Sequence, residues 1–238
     1  GSLVSPDAGI RARCRDSLRR LFGLCREVGL LGVNMPPALV EDNPVRYPYR
    51  AADESAVRAQ DTHLAAELPG LCEEARRLGL LLLLEPVNRR ESEYLNSIGS
   101  AAAVCERIGC PSLGVTCDFY HMEMEERDPT GAIRAAGTWI RHVHVSGRSP
   151  RNEPGPGSPD FTPGFAALKD IGYRYATADG RWALIVRNVF INPSGEYIDV
   201  PWSDVQDVGY ALQACNVCSG IEPSICFSVR AISSWSRG

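Results

Sequence analysis

One unit repeats along this chain: a mixed-charge helical segment, a glycine, then a short apolar run. It reads residues 11–28, Gly29, then 30–35. It recurs as residues 71–78, Gly79, then 80–84, and as residues 100–108, Gly109, then 113–117. A further helical run, 165–171, ends at Gly172. Glycine just past a helix end supplies the left-handed backbone of a C-cap. Short apolar runs bounded in this way suit strands buried on both faces, as in a parallel sheet, and residues 139–145 read as another. Helices alternating with such strands predict an α/β fold with right-handed crossovers. Pro69-Gly70 interrupts the helical run 53–78, where a kink or two separate helices are expected. Residues 43–49 carry proline and tyrosine and read as a loop.

The pattern stops at Tyr173. Beyond it, residues 182–191 and 196–200 read as two strands joined by a turn at 192–195, a β-hairpin signature. Residues 219–238 have no clean period. The expected organisation is therefore an α/β unit over 1–173 and a β-rich tail over 174–238. A length of 238 residues accommodates one large domain with such an appendage.

Composition narrows the function. A net charge of -4 argues against a general nucleic-acid binder, which needs a basic surface. The longest apolar run, 80–84, is far short of the roughly 20 residues that span a bilayer. No basic segment followed by an apolar core opens the sequence, so no secretory signal is expected. The nine cysteines are odd in number and irregularly spaced. Cys14, Cys25, Cys72 and Cys105 fall on apolar helical positions, as reduced thiols of a cytoplasmic protein would. Cys215 and Cys218 form a CxxC with Cys226 nearby, but a fourth zinc ligand is lacking, which favours incidental cysteines.

Polar residues at strand ends carry the chemistry, because barrel active sites lie at the C-terminal ends of strands. The run 80–84 ends in Glu85, the run 113–117 ends in Asp118 with His121 following, and 139–145 holds His142 and His144. A glutamate directly after a row of leucines is costly to bury without a partner. Asp118 alone would more often be an N-cap than a ligand. His142 and His144 alternate, so one strand face carries both. Two carboxylates and an imidazole at successive strand ends can converge on one divalent ion, and an oxygen-rich set suits Mn²⁺, Mg²⁺ or Co²⁺ better than structural zinc.

In combination these motifs resemble a known family. Glu85-Pro86-Val87-Asn88-Arg89-Arg90-Glu91 with Tyr94-Leu95-Asn96 is similar to the strand-four motif of ketose 3-epimerases of the tagatose/psicose type. Asp118-Phe119-Tyr120-His121-Met122 is similar to their strand-five motif. His142-Val143-His144-Val145 and the loop from Arg151 to Gly157 resemble the strand-six motif, and hydroxypyruvate isomerase as well. The resemblance runs from about Ser5 to Tyr173 and implies a partial TIM (β/α) barrel of the xylose isomerase-like type, covering the region of strands three to seven.

The resemblance also implies roles. Glu85, Asp118 and His144 would be metal ligands, with Mn²⁺ the expected ion. Glu85 would double as an acid/base carboxylate. Glu91, His121 and Arg151 would contact the hydroxyls of a small ketose or hydroxy-keto acid, isomerised through an enediolate. Homo-oligomerisation is compatible with such a barrel, and no nucleic acid or membrane partner is expected. A second catalytic glutamate would follow Gly172-Tyr173 by a few residues. Here residues 174–179 hold no glutamate, and Asp179, in a turn-like run, is the nearby carboxylate. Impaired turnover, or a barrel that binds without catalysis, is the competing expectation. An endonuclease IV-like hydrolase, whose zinc site is rich in histidine, fits four histidines and an acidic chain poorly.

Overall fold

In a computed structural model, the protein is described over residues 2–28, 30–36, 54–92, 94–146, 158–173 and 226–228. The expected loop at 43–49, Arg151, Asp179, the hairpin at 182–200 and the Cys215/Cys218 pair lie outside these residues. The elements run α1 (Ala8–Val28), β1 (Gly32–Met35), α2 (Glu54–Arg77), β2 (Leu81–Leu84), α3 (Ile98–Ile108), β3 (Leu113–Asp118), α4 (Phe119–Glu125), α5 (Pro129–Ala136), β4 (Ile140–His144), α6 (Thr162–Asp170) and β5 (Cys226–Ser228). The strands lie in the order β4-β3-β2-β1-β5. The first four pair in parallel with their chain neighbours, as the repeated unit predicts. The short β5 pairs antiparallel with β1, with Cys226 opposite Asn34, and covers that edge of the sheet. It comes from the stretch in which the sequence has no recognisable period.

The glycines do what the repeat requires. Gly79, Gly109 and Gly172 follow α2, α3 and α6 with φ between 67° and 68°, the left-handed region open to glycine at little cost. At Gly109 the backbone N–H returns to the Cys105 carbonyl, closing α3.

The sheet separates two environments. On the outer face, Val33, Leu82, Leu84, Val115, Cys117 and Val143 join the apolar core with Leu18 and Phe22 of α1, Leu64, Leu68 and Leu71 of α2, and Ala101 and Cys105 of α3. Burying each of the larger side chains is worth about 1.5–3 kcal/mol. The residues between them on the strands point the other way. They include Leu83 and the polar residues Asn34, Glu85, Thr116, Asp118, His142 and His144, all buried.

Strand β4 reaches that polar face through an irregularity. Ile140 pairs with Val115, yet His142, two residues on, pairs with Thr116, one residue on. The extra residue is Arg141, whose side chain lies over Gly114. In an unbroken ladder His142 would fall opposite Cys117 and face the apolar core. The bulge shifts parity by one, so that His144 pairs with Asp118.

One sequence expectation needs correction. Of the two outcomes expected at Pro69-Gly70, a kink or two helices, the second is not met: the segment is a single helix. Proline removes the N–H that would bond the Ala65 carbonyl, but Pro69 and Gly70 are both exposed, so water can serve that carbonyl. The buried stripe Leu64, Leu68, Leu71, Cys72 and Ala75 runs through the break on the opposite side and holds the helix together. Glu67 adds ion pairs to Arg11 and Arg15 of α1. Replacing Pro69→Ala restores the donor without touching the core. It is expected to stabilise the protein by about 1–3 kcal/mol in urea unfolding.

Candidate metal centre

Glu85 follows the last residue of β2, and Asp118 is the last residue of β3, so parallel pairing brings the two carboxylates side by side. They are 1% and 2% exposed. Ligand atoms of Glu85, Asp118 and His121 all lie within 4.8 Å of one another. His144 joins from β4: its Nδ1 is 2.9 Å from Glu85 Oε1 and 3.6 Å from Asp118 Oδ2. His142 lies edge-on to His144, with ring centroids 4.6 Å apart.

Each carboxylate has one oxygen engaged in the scaffold. Asp118 Oδ1 accepts from the Tyr120 backbone N–H at 2.9 Å and caps α4, while Oδ2 faces the two histidines. The N-cap role and a place in the cluster are thus both met, by different oxygens. Glu85 Oε2 accepts from Asn34 Nδ2 at 2.7 Å, and Oε1 faces His144. Asn34, a buried amide inside β1, belongs to none of the sequence motifs. Its signal was a lone asparagine within an otherwise apolar strand.

Hydrogen bonding fixes the state of His121. The Asn88 backbone N–H can only donate, and it points at His121 Nδ1 at 3.1 Å. The Asn88 side chain agrees, because its Oδ1 accepts from the Arg90 N–H and turns Nδ2 toward His121 Nδ1 at 2.9 Å. Nδ1 is therefore an acceptor, and in the neutral ring the proton sits on Nε2, 3.5 Å from Asp118 Oδ2. Near as His121 is to the carboxylates, its facing nitrogen offers a donor and not a lone pair. His144 presents Nδ1, the atom a metal ion would occupy once its proton leaves.

Glu91 belongs to the loop after β2. Asn88 Nδ2 donates to Glu91 Oε1 at 2.8 Å, so one amide links Glu91 to His121. The loop is pinned by Arg89, whose N and Nε both donate to Glu125. Further on, Tyr94 donates to Asp61 and Asn96 donates to the Val87 and Ser92 carbonyls. The structure thus brings together Glu85, Asp118, His121 and His144, with Glu91 one amide away. Ser146, two residues beyond His144, is buried, and its Oγ has no hydrogen-bond partner among the described residues. A lone buried hydroxyl costs about 1–3 kcal/mol unless something satisfies it.

The donor set fits a divalent ion. Two buried carboxylates close together are costly without compensating positive charge, and two carboxylate oxygens with one imidazole suit Mn²⁺, Mg²⁺ or Co²⁺.

The sequence profile of the xylose isomerase-like TIM barrel family matches residues 1–178. The chain belongs to this family. It is 33% identical over 173 residues to an L-ribulose 3-epimerase of Mesorhizobium japonicum, covering 73% of this chain and 55% of that protein. A putative hydroxypyruvate isomerase of Mus musculus is 32% identical over 130 residues, covering 52% of this chain and 47% of that protein. The solved structure of an L-ribulose 3-epimerase superposes with a TM-score of 0.61 at 33% identity, covering 73% of this chain and 55% of that one. The chain thus spans about half the length of the curated relatives it matches. Among the described residues no helix is long and apolar enough to cross a membrane.

Burial pulls the His144 imidazole down, but the Glu85 carboxylate, helped by Asp118, outweighs it and holds His144 above its ordinary range. A folded-state value above the unfolded one of about 6.5 contributes stability that is fully present below that value. It is lost as pH rises through the folded value. In chelator, the unfolding free energy is expected to fall as pH rises above about 6.5. His144→Asn should flatten that slope, measured by urea titrations across the range.

Proposed function

We propose that this chain carries the metal-binding half of an isomerase or epimerase acting on a small ketose or hydroxy-keto acid. The observation that supports this reading is the meeting of Glu85, Asp118 and His144 at the ends of three parallel strands. It occurs in a family whose relatives here are named as ketose 3-epimerases and a putative hydroxypyruvate isomerase. Glu85 Oε1, Asp118 Oδ2 and His144 Nδ1 would hold the ion, with Mn²⁺ the expected occupant. A divalent ion there would polarise a ketose carbonyl and its neighbouring hydroxyl, acidifying the C–H between them.

The chain's own residues would do the rest. Glu85 takes the proton from carbon as general base. His121 offers its Nε2–H to a substrate oxygen, a role consistent with its tautomer. Glu91, whose position is set through Asn88, accepts from a sugar hydroxyl. Arg151, outside the described residues, is assigned a sugar contact by the resemblance alone. A cytoplasmic setting accords with Cys14, Cys25, Cys72 and Cys105, which are buried and in no disulfide among the described residues.

Epimerisation needs a second acid/base group on the opposite face of the carbon. The stretch just after Tyr173 offers Asp179 and no glutamate. Proton removal should therefore survive better than inversion. Losing one general acid or base costs about 10²–10⁴-fold. With Mn²⁺ in deuterated water, the protein is expected to exchange the substrate's carbon-bound hydrogen for deuterium, read by NMR. Epimer should form more slowly by about that factor, and Glu85→Gln should abolish the exchange. Mn²⁺ binding without exchange on any ketose or hydroxy-keto acid tested would favour a barrel that binds metal and does no chemistry.

A further inference from the structure

Two buried polar residues on the inner face of the sheet are used neither by the family motifs nor by the reaction above. Asn34 lies on β1 and Thr116 on β3, on either side of β2, and both are almost fully buried. Thr116 Oγ1 donates to Asn34 Oδ1 at 2.6 Å, and Asn34 Nδ2 donates to Glu85 Oε2 at 2.7 Å. We propose that Asn34, oriented by Thr116, is the positioning residue for Glu85, fixing which carboxylate oxygen faces the metal.

The geometry admits one arrangement. An ionised carboxylate only accepts, so Glu85 requires the NH₂ side of the Asn34 amide. The amide oxygen then points across the sheet at Thr116, whose hydroxyl can donate to it. Flipping the amide would set its oxygen against the carboxylate and leave Thr116 without its acceptor. The bond to Glu85 is charge-assisted and dry, and so stronger than a neutral one in water. With Oε2 held from β1, rotation of the carboxylate is stopped and Oε1 stays toward His144 and Asp118. Glu85 lies just past the end of β2, where its backbone N–H still donates to the Met35 carbonyl of β1 at 3.1 Å, and the Asn34 amide adds a side-chain hold from the same strand. Outer partners of this type hold a ligand in its binding rotamer, and losing them typically costs about 10–100-fold in metal affinity.

The inference rests on the metal-centre reading, and the test separates the two. Mn²⁺ affinity is measured calorimetrically for the full chain and for Asn34→Ala, Thr116→Val and the double variant, with thermal unfolding of each metal-free protein alongside. Asn34→Ala is expected to weaken Mn²⁺ about 10–100-fold. Thr116→Val, which keeps the side-chain volume, should weaken it less. Adding it to Asn34→Ala should cause no further loss, because Thr116 acts through the amide. A merely structural pair would lower the melting temperature and leave affinity unchanged, and that result overturns the proposal while the metal centre stands. Should Asn34→Ala prove too unstable to measure, Thr116→Val decides: weakened Mn²⁺ with unchanged melting supports the proposal, and unchanged affinity overturns it. If the unsubstituted chain binds no Mn²⁺, the metal-centre reading fails and this inference falls with it.

Discussion

The inner half of this fold is organised around two carboxylates that are out of water and side by side. Two like charges in a low-dielectric pocket repel strongly, and nothing in the apolar layers can relieve them. Relief comes from groups placed around them: the Asn34 amide of β1, the Tyr120 N–H and His121 imidazole of α4, and the His144 imidazole of β4. Of the strands, β1 and β4 each contribute one part of this compensation to carboxylates carried by β2 and β3, and a strand out of register would leave charge unpaired. The outer face behaves differently. There Leu, Val and Cys side chains meet the helices, and similar shapes could exchange without consequence for the charges.

The outer face was therefore the legible half. A helix that ends in glycine before a strand buried on both sides leaves a sequence trace that needs no knowledge of partners. The parallel order of β1 to β4 followed from it. The strand-end positions of Glu85 and Asp118 were legible for a related reason, since acidic residues directly after apolar runs stand out. Asn34 and Thr116 were missed because a single polar residue inside a strand has no local pattern to mark its purpose. What they do depends on a residue 51 positions away for one and 82 for the other. The tautomer of His121, on α4, depends likewise on Asn88 in the loop after β2. Strand β5 was missed because a three-residue strand paired with β1 has no period of its own.

Family membership rests on residues 1–178 and agrees with the sheet order. The family match accounts for the four parallel strands and the helices between them. It does not account for the β5 strand, which comes from the region beyond the match and pairs with the outer edge of β1. Residues 226–228 are thus paired with the strand that carries Asn34.

The bulge at Arg141 bears on what the motifs of such barrels can record. The chemical identity of the inner face is set by counting as much as by composition. Draw the bulge out into an unbroken ladder with every residue kept, and both histidines turn toward the apolar core while Val143 falls opposite Asp118, with no catalytic-looking residue altered. The centre therefore depends on whether β4 sets its one surplus residue aside, a condition that no motif of the family records.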